Sequence, residues 1–251
     1  MLLEIDAGNT RLKWRVVEVS GRGVTAWRAS GIVTETNVED SVIKLVAALE
    51  QAQVQGLTRV LVSSVRGDVF RAHARGALQQ NFGVSAEFAV SELRCRGLYN
   101  GYEFPERLGV DRWLALIAAF EDAKCACCVI DCGTTITLDV VEASGRHVGG
   151  FIVPGLRLMR ESLAGRSAAL AITDKQLETG PGSNTTEAIT HGTFNMALGF
   201  IRDQHWQVLQ RHGQVRWYLT GGDAPALARQ LDWEHRLVPD LVLDGLRLAL
   251  L

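Results

Sequence analysis

The feature that most constrains this chain is a short turn that it spells twice. Asp6-Ala7-Gly8-Asn9-Thr10 closes one apolar run, and Asp131-Cys132-Gly133-Thr134-Thr135 closes another, 125 residues further along a chain of 251. Recurrence of Asp-x-Gly-x-Thr at half the chain length points to two related halves. Each copy suits phosphate. Glycine lets the backbone approach an anion closely, successive N–H groups form a nest, the Thr hydroxyl adds a donor, and the Asp can hold a cation that bridges to phosphate. Two such turns, one from each half, imply a nucleotide in a cleft between two similar domains.

The apolar patterning repeats with the turn. Strands are expected over 2–6, 12–19 and 23–30, the first two joined at Gly8-Asn9. A helix over 37–52 follows from Val38, Val42, Leu45, Val46 and Leu49 at helical spacing, with Asn37 as N-cap. The continuous Val/Leu run at 58–65 reads as a strand buried on both faces. A weaker helix over 68–80 and a strand over 84–90 complete this half. Residues 91–108, with Gly97, Gly101 and Pro105, read as a loop, and 111–124 as a strongly apolar helix. The second half opens as the first did, with strands over 126–131, 137–142 and 147–152. Pro154-Gly155 then starts a helix to 163, 165–183 is irregular, and a long helix covers 185–210. A strand over 215–220 and helices over 224–231 and 240–250 end the chain. Three antiparallel strands followed by α/β alternation, twice over, imply an α/β protein of two mixed sheets with helices on their faces. The boundary is drawn between 1–109 and 110–251.

Composition narrows the partners. An apolar fraction of 47% with 22% charged residues permits substantial cores. A net charge of −2 gives no electrostatic case for nucleic acid or an acidic membrane. No run approaches the roughly 18 apolar residues of a membrane span, and Glu4 stands where a signal peptide would carry basic residues. A cytoplasmic location is expected, and five cysteines, an odd number, fit a reducing compartment. Four of them, Cys125, Cys127, Cys128 and Cys132, crowd together and invite a metal reading. Strand alternation sends Cys127 and Cys128 to opposite faces, and no second Cys/His pair has zinc spacing. Buried thiols acting as small hydrophobes account for them better.

Several short motifs admit both a chemical and a plain reading. Asp6 to Lys13 suits a phosphate-binding hairpin, though Gly-Asn is also an ordinary turn pair; Lys13 can face the cleft or solvent. Asp131 ends a very apolar strand, where a carboxylate needs a cation or backbone donors to offset desolvation. Thr134 is the natural phosphate donor beside it. In Gly109-Val110-Asp111-Arg112, Asp111 is either a first-turn acid on a helix dipole or a general base for a substrate hydroxyl, with Arg112 binding an anion. Tyr102 sits in the preceding loop, where a binding aromatic belongs. Gly149-Gly150 permits close approach of a ligand or of a strand. Gly221-Gly222 suits either a nucleotide base or packing.

Taken together, Asp6-x-Gly-Asn-Thr, Gly109-x-Asp-Arg, Asp131-x-Gly-Thr-Thr, Gly149-Gly-x-Ile-x-Pro-Gly and Thr220-Gly-Gly-Asp resemble the type III pantothenate kinases in order and spacing. These are the Bvg accessory factor family, within the acetate kinase/sugar kinase/Hsp70/actin superfamily. The resemblance spans essentially the whole chain. It implies two ribonuclease H-like, actin-like domains and ATP-dependent phosphorylation of the pantothenate 4′-hydroxyl, the first step of coenzyme A synthesis. Asp6, Ala7, Gly8, Asn9, Thr10, Arg11, Leu12 and Lys13 would hold the ATP phosphates, and Thr134 would touch ATP. Asp111 would accept the proton. Gly109, Val110, Asp111, Arg112, Tyr102 and Thr185 would line the pantothenate site. Asp131 would ligate a monovalent cation, K⁺ or NH₄⁺, and Mg²⁺ would accompany ATP. The family's dimeric state would make this chain a homodimer, with the long helix from Thr185 at the interface. Cys132 and Thr135 depart from the family's usual small or aliphatic residues without changing the chemistry. A superfamily kinase or phosphatase with a sugar or acetate substrate, and a nucleotide-binding regulator, are the competing readings.

Overall fold

A computed structural model describes residues 1–20, 23–164 and 178–251. The chain folds into two compact units, Met1–Glu121 with Asp240–Leu251, and Asp122–Pro239. The boundary expected after residue 109 falls inside the first unit. The helix beginning at Val110 and the C-terminal helix both belong there, although the sequence places them in the second half.

The first unit holds β1 (Leu2–Ala7), β2 (Arg11–Ser20), β3 (Gly23–Thr34), α1 (Val38–Gln51), β4 (Arg59–Ser64), α2 (Gly67–Phe82) and β5 (Ala86–Phe88). Its sheet runs in the order β3-β2-β1-β4-β5. The β1–β2 and β2–β3 pairs are antiparallel, while β4 and β5 lie parallel to β1. Alternation along the strands sorts residues between two faces. Leu3, Ile5 and Ala7 of β1, Leu12, Trp14 and Val16 of β2, and Val60 and Val62 of β4 form one core with Val42, Leu45 and Leu49 of α1 and Phe70, Ala74 and Leu78 of α2. Each large aliphatic or aromatic side chain among them contributes about 1.5–3 kcal/mol on burial. Asn37 caps α1 as its sequence predicts, its side chain accepting from Asp40 N at 3.1 Å.

Leu2, Glu4, Asp6, Lys13, Arg15 and Ser63 are left for the opposite face, across which the last helix, α7 (Leu241–Leu250), packs on β1 and β4. Between these elements, 91–108 is more ordered than expected. It forms a two-residue hairpin, β6 (Arg94–Cys95) with β7 (Leu98–Tyr99), then a 3₁₀ turn at Pro105–Arg107. Hairpin strands this short present too little apolar alternation to be legible. The helix α3 (Val110–Ala123) follows, and every residue from 112 to 119 is buried, so the helix is enclosed on all sides.

The second unit repeats the plan. It contains β8 (Cys127–Cys132), β9 (Thr135–Val141), β10 (His147–Pro154), α4 (Leu156–Ala164), α5 (Thr185–His212), β11 (Arg216–Thr220), α6 (Ala224–Ala228) and β12 (Arg236–Leu237). The sheet order is β10-β9-β8-β11-β12, the same path as in the first unit. Again three strands are antiparallel and the next two join in parallel. Cys128, Ile130 and Cys132 face a core shared with Phe194, Leu198 and Ile201 of α5 and Leu227 of α6. Cys127, Val129 and Asp131 occupy the other face. The five cysteines are free thiols; burial pushes the Cys127 thiol up to about 12, which keeps it protonated.

Two local expectations are corrected and one open choice is narrowed. Pro154 ends β10, paired with Thr135, instead of opening a helix, and α4 begins at Leu156. Gly149 and Gly150 face β9 at a bulge, and a Cβ on Gly150 would collide with Leu138 O, so close approach of a strand is what Gly150 permits. The two-residue β12 lies within 232–239, where no element was expected, and α6 stops at Ala228. Of the irregular stretch expected at 165–183, residues 165–177 lie outside the described residues.

Candidate active site

In the first unit, β1 delivers Asp6 to the edge of its turn, and register does the rest. Asp6 pairs with Lys13 on β2 and with Ser63 on β4. All three therefore project from one face of the sheet. The ammonium of Lys13 lies on the side of Asp6 and lowers the pKa of that carboxyl. Its Nζ stands 3.2 Å from Asp240 Oδ1.

The Asp6 carboxyl titrates at about 7, far above an ordinary aspartate. Burial is the main cause, and the negative charge of Asp111 is the second; the Ser63 hydroxyl and Lys13 oppose both. The Ser63 hydroxyl is fully buried beside the Asp6 carboxyl and favours its ionised form. The Asp6 and Asp111 carboxylates and the Ser63 hydroxyl are hard oxygen donors, the kind that Mg²⁺ prefers.

The turn itself is held from below. Arg66, immediately before α2, donates from Nε to Gly8 O at 2.6 Å and from Nη2 to Glu35 O at 2.9 Å, while Val65 N donates to Ala7 O at 3.2 Å. Those bonds fix the carbonyl side of the turn, with Gly8 and Thr10 half-buried and Asn9 and Arg11 exposed. Ala7 and Leu12 are core residues that anchor the hairpin. Arg66 was not singled out by the sequence, because a lone arginine before a helix has no pattern of its own.

Asp111 lies in the first turn of α3, its Oδ1 accepting from Arg112 N at 2.8 Å. The preceding Gly109 leaves room for that oxygen: a Cβ there would lie 2.7 Å from it. Arg112 is buried and donates from Nη1 to the Tyr102 hydroxyl at 2.8 Å, its guanidinium also lying 5.6 Å from the Tyr102 ring centre. Val110, just before Asp111, is core. Asn100 organises this corner. Its Nδ2 donates to Glu92 O and Pro105 O, and its Oδ1 accepts from Tyr102 N. Buried, it ties the two ends of the loop together and sets the direction of Tyr102. The first unit thus brings together Asp6, Lys13, Asp111, Arg112 and Tyr102.

In the second unit the other turn is built on the same plan with different supports. Asp131 pairs in register with Thr220, as Asp6 does with Ser63, and Asp223 N donates to Cys132 O at 2.9 Å, as Val65 N does to Ala7 O. Here two glycines replace the arginine brace. Gly155 N donates to Thr134 O at 3.0 Å, and a Cβ on Gly155 would collide with Gly133 O. Gly221 has φ +93°, and its Cβ would fall 2.5 Å from Asp131 Oδ1 and from the Cys132 carbonyl. Close packing against the turn accounts for Gly221. Asp131 is half-buried and Thr134 exposed at the tip. Carboxylate and turn carbonyls supply oxygen donors suited to an alkali ion; among the described residues no group of three or more His, Cys, Asp or Glu side chains is placed to hold a metal.

Thr185 is the first residue of α5 and is exposed. Asn184 caps the helix by accepting from Glu187 N at 3.0 Å, and the Glu187 carboxylate accepts from both N and Oγ of Ser183. This reciprocal cap is legible as Ser-Asn-Thr-Thr-Glu and fixes where Thr185 begins the helix.

A family model described as type III pantothenate kinase matches residues 2–207. The chain belongs to that family. It is 38% identical to the type III pantothenate kinase of Pseudomonas aeruginosa (strain LESB58) over 99% of this chain and 98% of the relative. It is 40% identical to that of Ectopseudomonas mendocina (strain ymp), with the same coverage. Among solved structures it resembles a conserved Baf family protein from Campylobacter jejuni, with TM-score 0.60 and 20% identity over 98% of this chain and 95% of the other. The ethanolamine utilization protein EutJ from Carboxydothermus hydrogenoformans gives TM-score 0.55 and 16% identity, covering 98% and 89%. At such identities the structural likeness speaks for the fold, which is that of the actin-like and sugar kinase proteins. As a member of this family the chain is a kinase, using ATP and a divalent metal. No helix among the described residues is long and apolar enough to cross a membrane.

Proposed function

We propose that this chain phosphorylates pantothenate on its 4′-hydroxyl with ATP, using the residues grouped in its first unit, and so opens coenzyme A synthesis. The observation that supports this assignment of roles is the grouping of Asp6, Lys13 and Asp111 beside the Arg112–Tyr102 pair. Phosphoryl transfer asks little covalent chemistry of a protein. It asks for positioning, neutralisation of phosphate charge and a base near the acceptor.

Backbone N–H groups of the Asp6–Lys13 turn and the Lys13 ammonium take the ATP phosphates. Mg²⁺ accompanies ATP and neutralises charge on the phosphates; Asp6 and Asp111 are the carboxylates suited to its hydrated shell. Arg112 and Tyr102 hold pantothenate, the arginine facing its carboxylate, with Gly109 and Val110 as further lining. Asp111 accepts the proton of the 4′-hydroxyl as that oxygen forms its bond to the γ-phosphorus. The bond from that phosphorus to the β,γ-bridging oxygen breaks, and ADP leaves with the electron pair. Asp131, with turn carbonyls, holds K⁺ or NH₄⁺, adding fixed positive charge.

We assign a homodimer to the face where β10 and α5 meet. Phe151 of β10 packs edge-on against Phe200 of α5 at 6.0 Å, and Ile152 and Met196 on the same two elements are exposed. An exposed apolar edge strand is what self-association covers. The reducing cytoplasm suits the free thiols.

An ADP-release assay with pantothenate against a panel of sugars and acetate, run in K⁺, NH₄⁺ and Na⁺, tests the reading. Pantothenate-dependent turnover that rises in K⁺ or NH₄⁺ is expected. Turnover with another acceptor alone would reassign the substrate, and indifference to the monovalent ion would remove it from Asp131.

A further inference from the structure

α7 enters the first unit from the far end of the chain, and its first contact is with the residue that we assign to the ATP phosphates. Asp240 stands at the N-cap of α7, where an aspartate side chain ordinarily accepts from the first helical N–H groups. Here it makes no capping bond. Its carboxylate turns instead to the sheet: Oδ1 lies 3.2 Å from Lys13 Nζ and Oδ2 lies 3.7 Å from Arg15 Nη1. The helix forgoes its cap to make these two contacts.

Behind this pair lies a buried ionic network. Arg15 and Glu4, both almost wholly buried, form an ion pair across the β1–β2 register. Arg15 Nη2 reaches Asp244 Oδ1 at 2.9 Å, one turn along α7, and Arg247 bridges Glu4 and Asp244 at 3.3 Å each. These charges fix the register of α7 on the sheet, because a shift of one residue would leave Glu4 or Arg15 buried with its pairing broken. The same helix abuts α3. A Cβ on Gly245 would collide with Leu114 O, so α7 and α3 meet backbone to backbone within a turn of Asp111. One helix therefore touches both the strand that carries Lys13 and the helix that carries Asp111.

We propose that Asp240 is a positioning residue: it holds the Lys13 ammonium at the angle needed to receive the nucleotide phosphates. The inference rests on Lys13 being a phosphate ligand. A lysine has four rotatable side-chain bonds, and both partners here are about one-third exposed. Such a pair adds little to folding stability; its effect is to restrict where the ammonium points before ATP arrives.

The test compares Asp240→Asn, Asp240→Glu and Lys13→Met in the full-length enzyme, by steady-state kinetics and thermal melting. Asparagine is an equally good N-cap, so Asp240→Asn is expected to melt near the parent temperature. Its KM for ATP is expected to rise about 5- to 20-fold, with kcat and the KM for pantothenate within about threefold. Asp240→Glu restores most of the ATP affinity. Lys13→Met is expected to lose more than Asp240→Asn, and the double variant to be no worse than Lys13→Met alone. Should Asp240→Asn unfold, Asp240→Ser keeps a capping side chain without the charge and is read in the same way. An unchanged ATP KM in Asp240→Asn beside a crippled Lys13→Met overturns the proposal alone. An unchanged ATP KM in Lys13→Met overturns the reading of Lys13, and the proposal with it.

Discussion

Asp6, at the end of β1, and Asp111, in the first turn of α3, are brought close enough that the charge of Asp111 helps raise the Asp6 carboxyl to about 7. Neither residue borders the other in sequence. Like charges gathered in a partly dry site are unfavourable unless a cation joins them. A kinase that binds a metal-bound triphosphate supplies that cation with its substrate. The gathered carboxylates leave this corner of the first unit strained.

That strain has a measurable sign. Asp6 binds its proton more tightly when folded, near pH 7, than when unfolded, near 3.8. Its protonation therefore supports the fold fully below about pH 4, and that support is lost as pH rises to about 7. Asp6→Asn in the ligand-free protein should match the parent in melting temperature near pH 4. It should exceed the parent by a few degrees at pH 8, corresponding to about 1–3 kcal/mol. Melting curves across this range check the prediction; an equal or lower melting temperature at pH 8 would count against a destabilised carboxylate.

Asp111→Asn removes the carboxylate that we propose as proton acceptor, and with it one of the two neighbouring charges. Turnover should fall by about 10²–10⁴-fold, while calorimetric ATP binding persists and the Asp6 titration moves below 7. A near-parental rate would take Asp111 out of the mechanism.

Tyr102→Phe deletes the hydroxyl that receives Arg112 Nη1 at 2.8 Å. A net hydrogen bond to a charged group is worth about 1.5–3 kcal/mol, part of which water recovers at this half-exposed site. The KM for pantothenate should rise about 3- to 10-fold, with that for ATP unchanged. An equal rise in both would mean that Arg112 does not act on the acceptor side.

Gly221→Ala tests the support of the second turn. The added methyl meets Asp131 Oδ1 and the Cys132 carbonyl at 2.5 Å, and φ +93° is strained for alanine besides. Destabilisation of about 2–4 kcal/mol is expected, together with a blunted response to K⁺. Denaturant unfolding and activity in K⁺ against Na⁺ measure the two. A variant as stable as the parent would show that the turn has room to shift.

The duplicated turn, the helix periods and the cap at Asn37 were legible in the sequence because each depends on neighbours within a few residues. From them followed two α/β halves with mixed sheets and most of the chemical candidates; the shared strand order came only from the fold. Side-chain direction at Lys13 was open until the pairing of Asp6 with Lys13 and Ser63 fixed which face all three share. The choices for Gly150 and Gly221 were likewise open, and the close contacts at both are with the protein's own neighbouring segments. Arg66, Asn100 and Asp240 carry no motif, since each acts on a backbone or a charge brought near only by folding. The return of α7 to the first unit was equally invisible. Local patterning dictates what a segment becomes, but burial of Glu4 and Arg15 against Asp244 and Arg247 dictates where it docks, and that choice exists only in three dimensions.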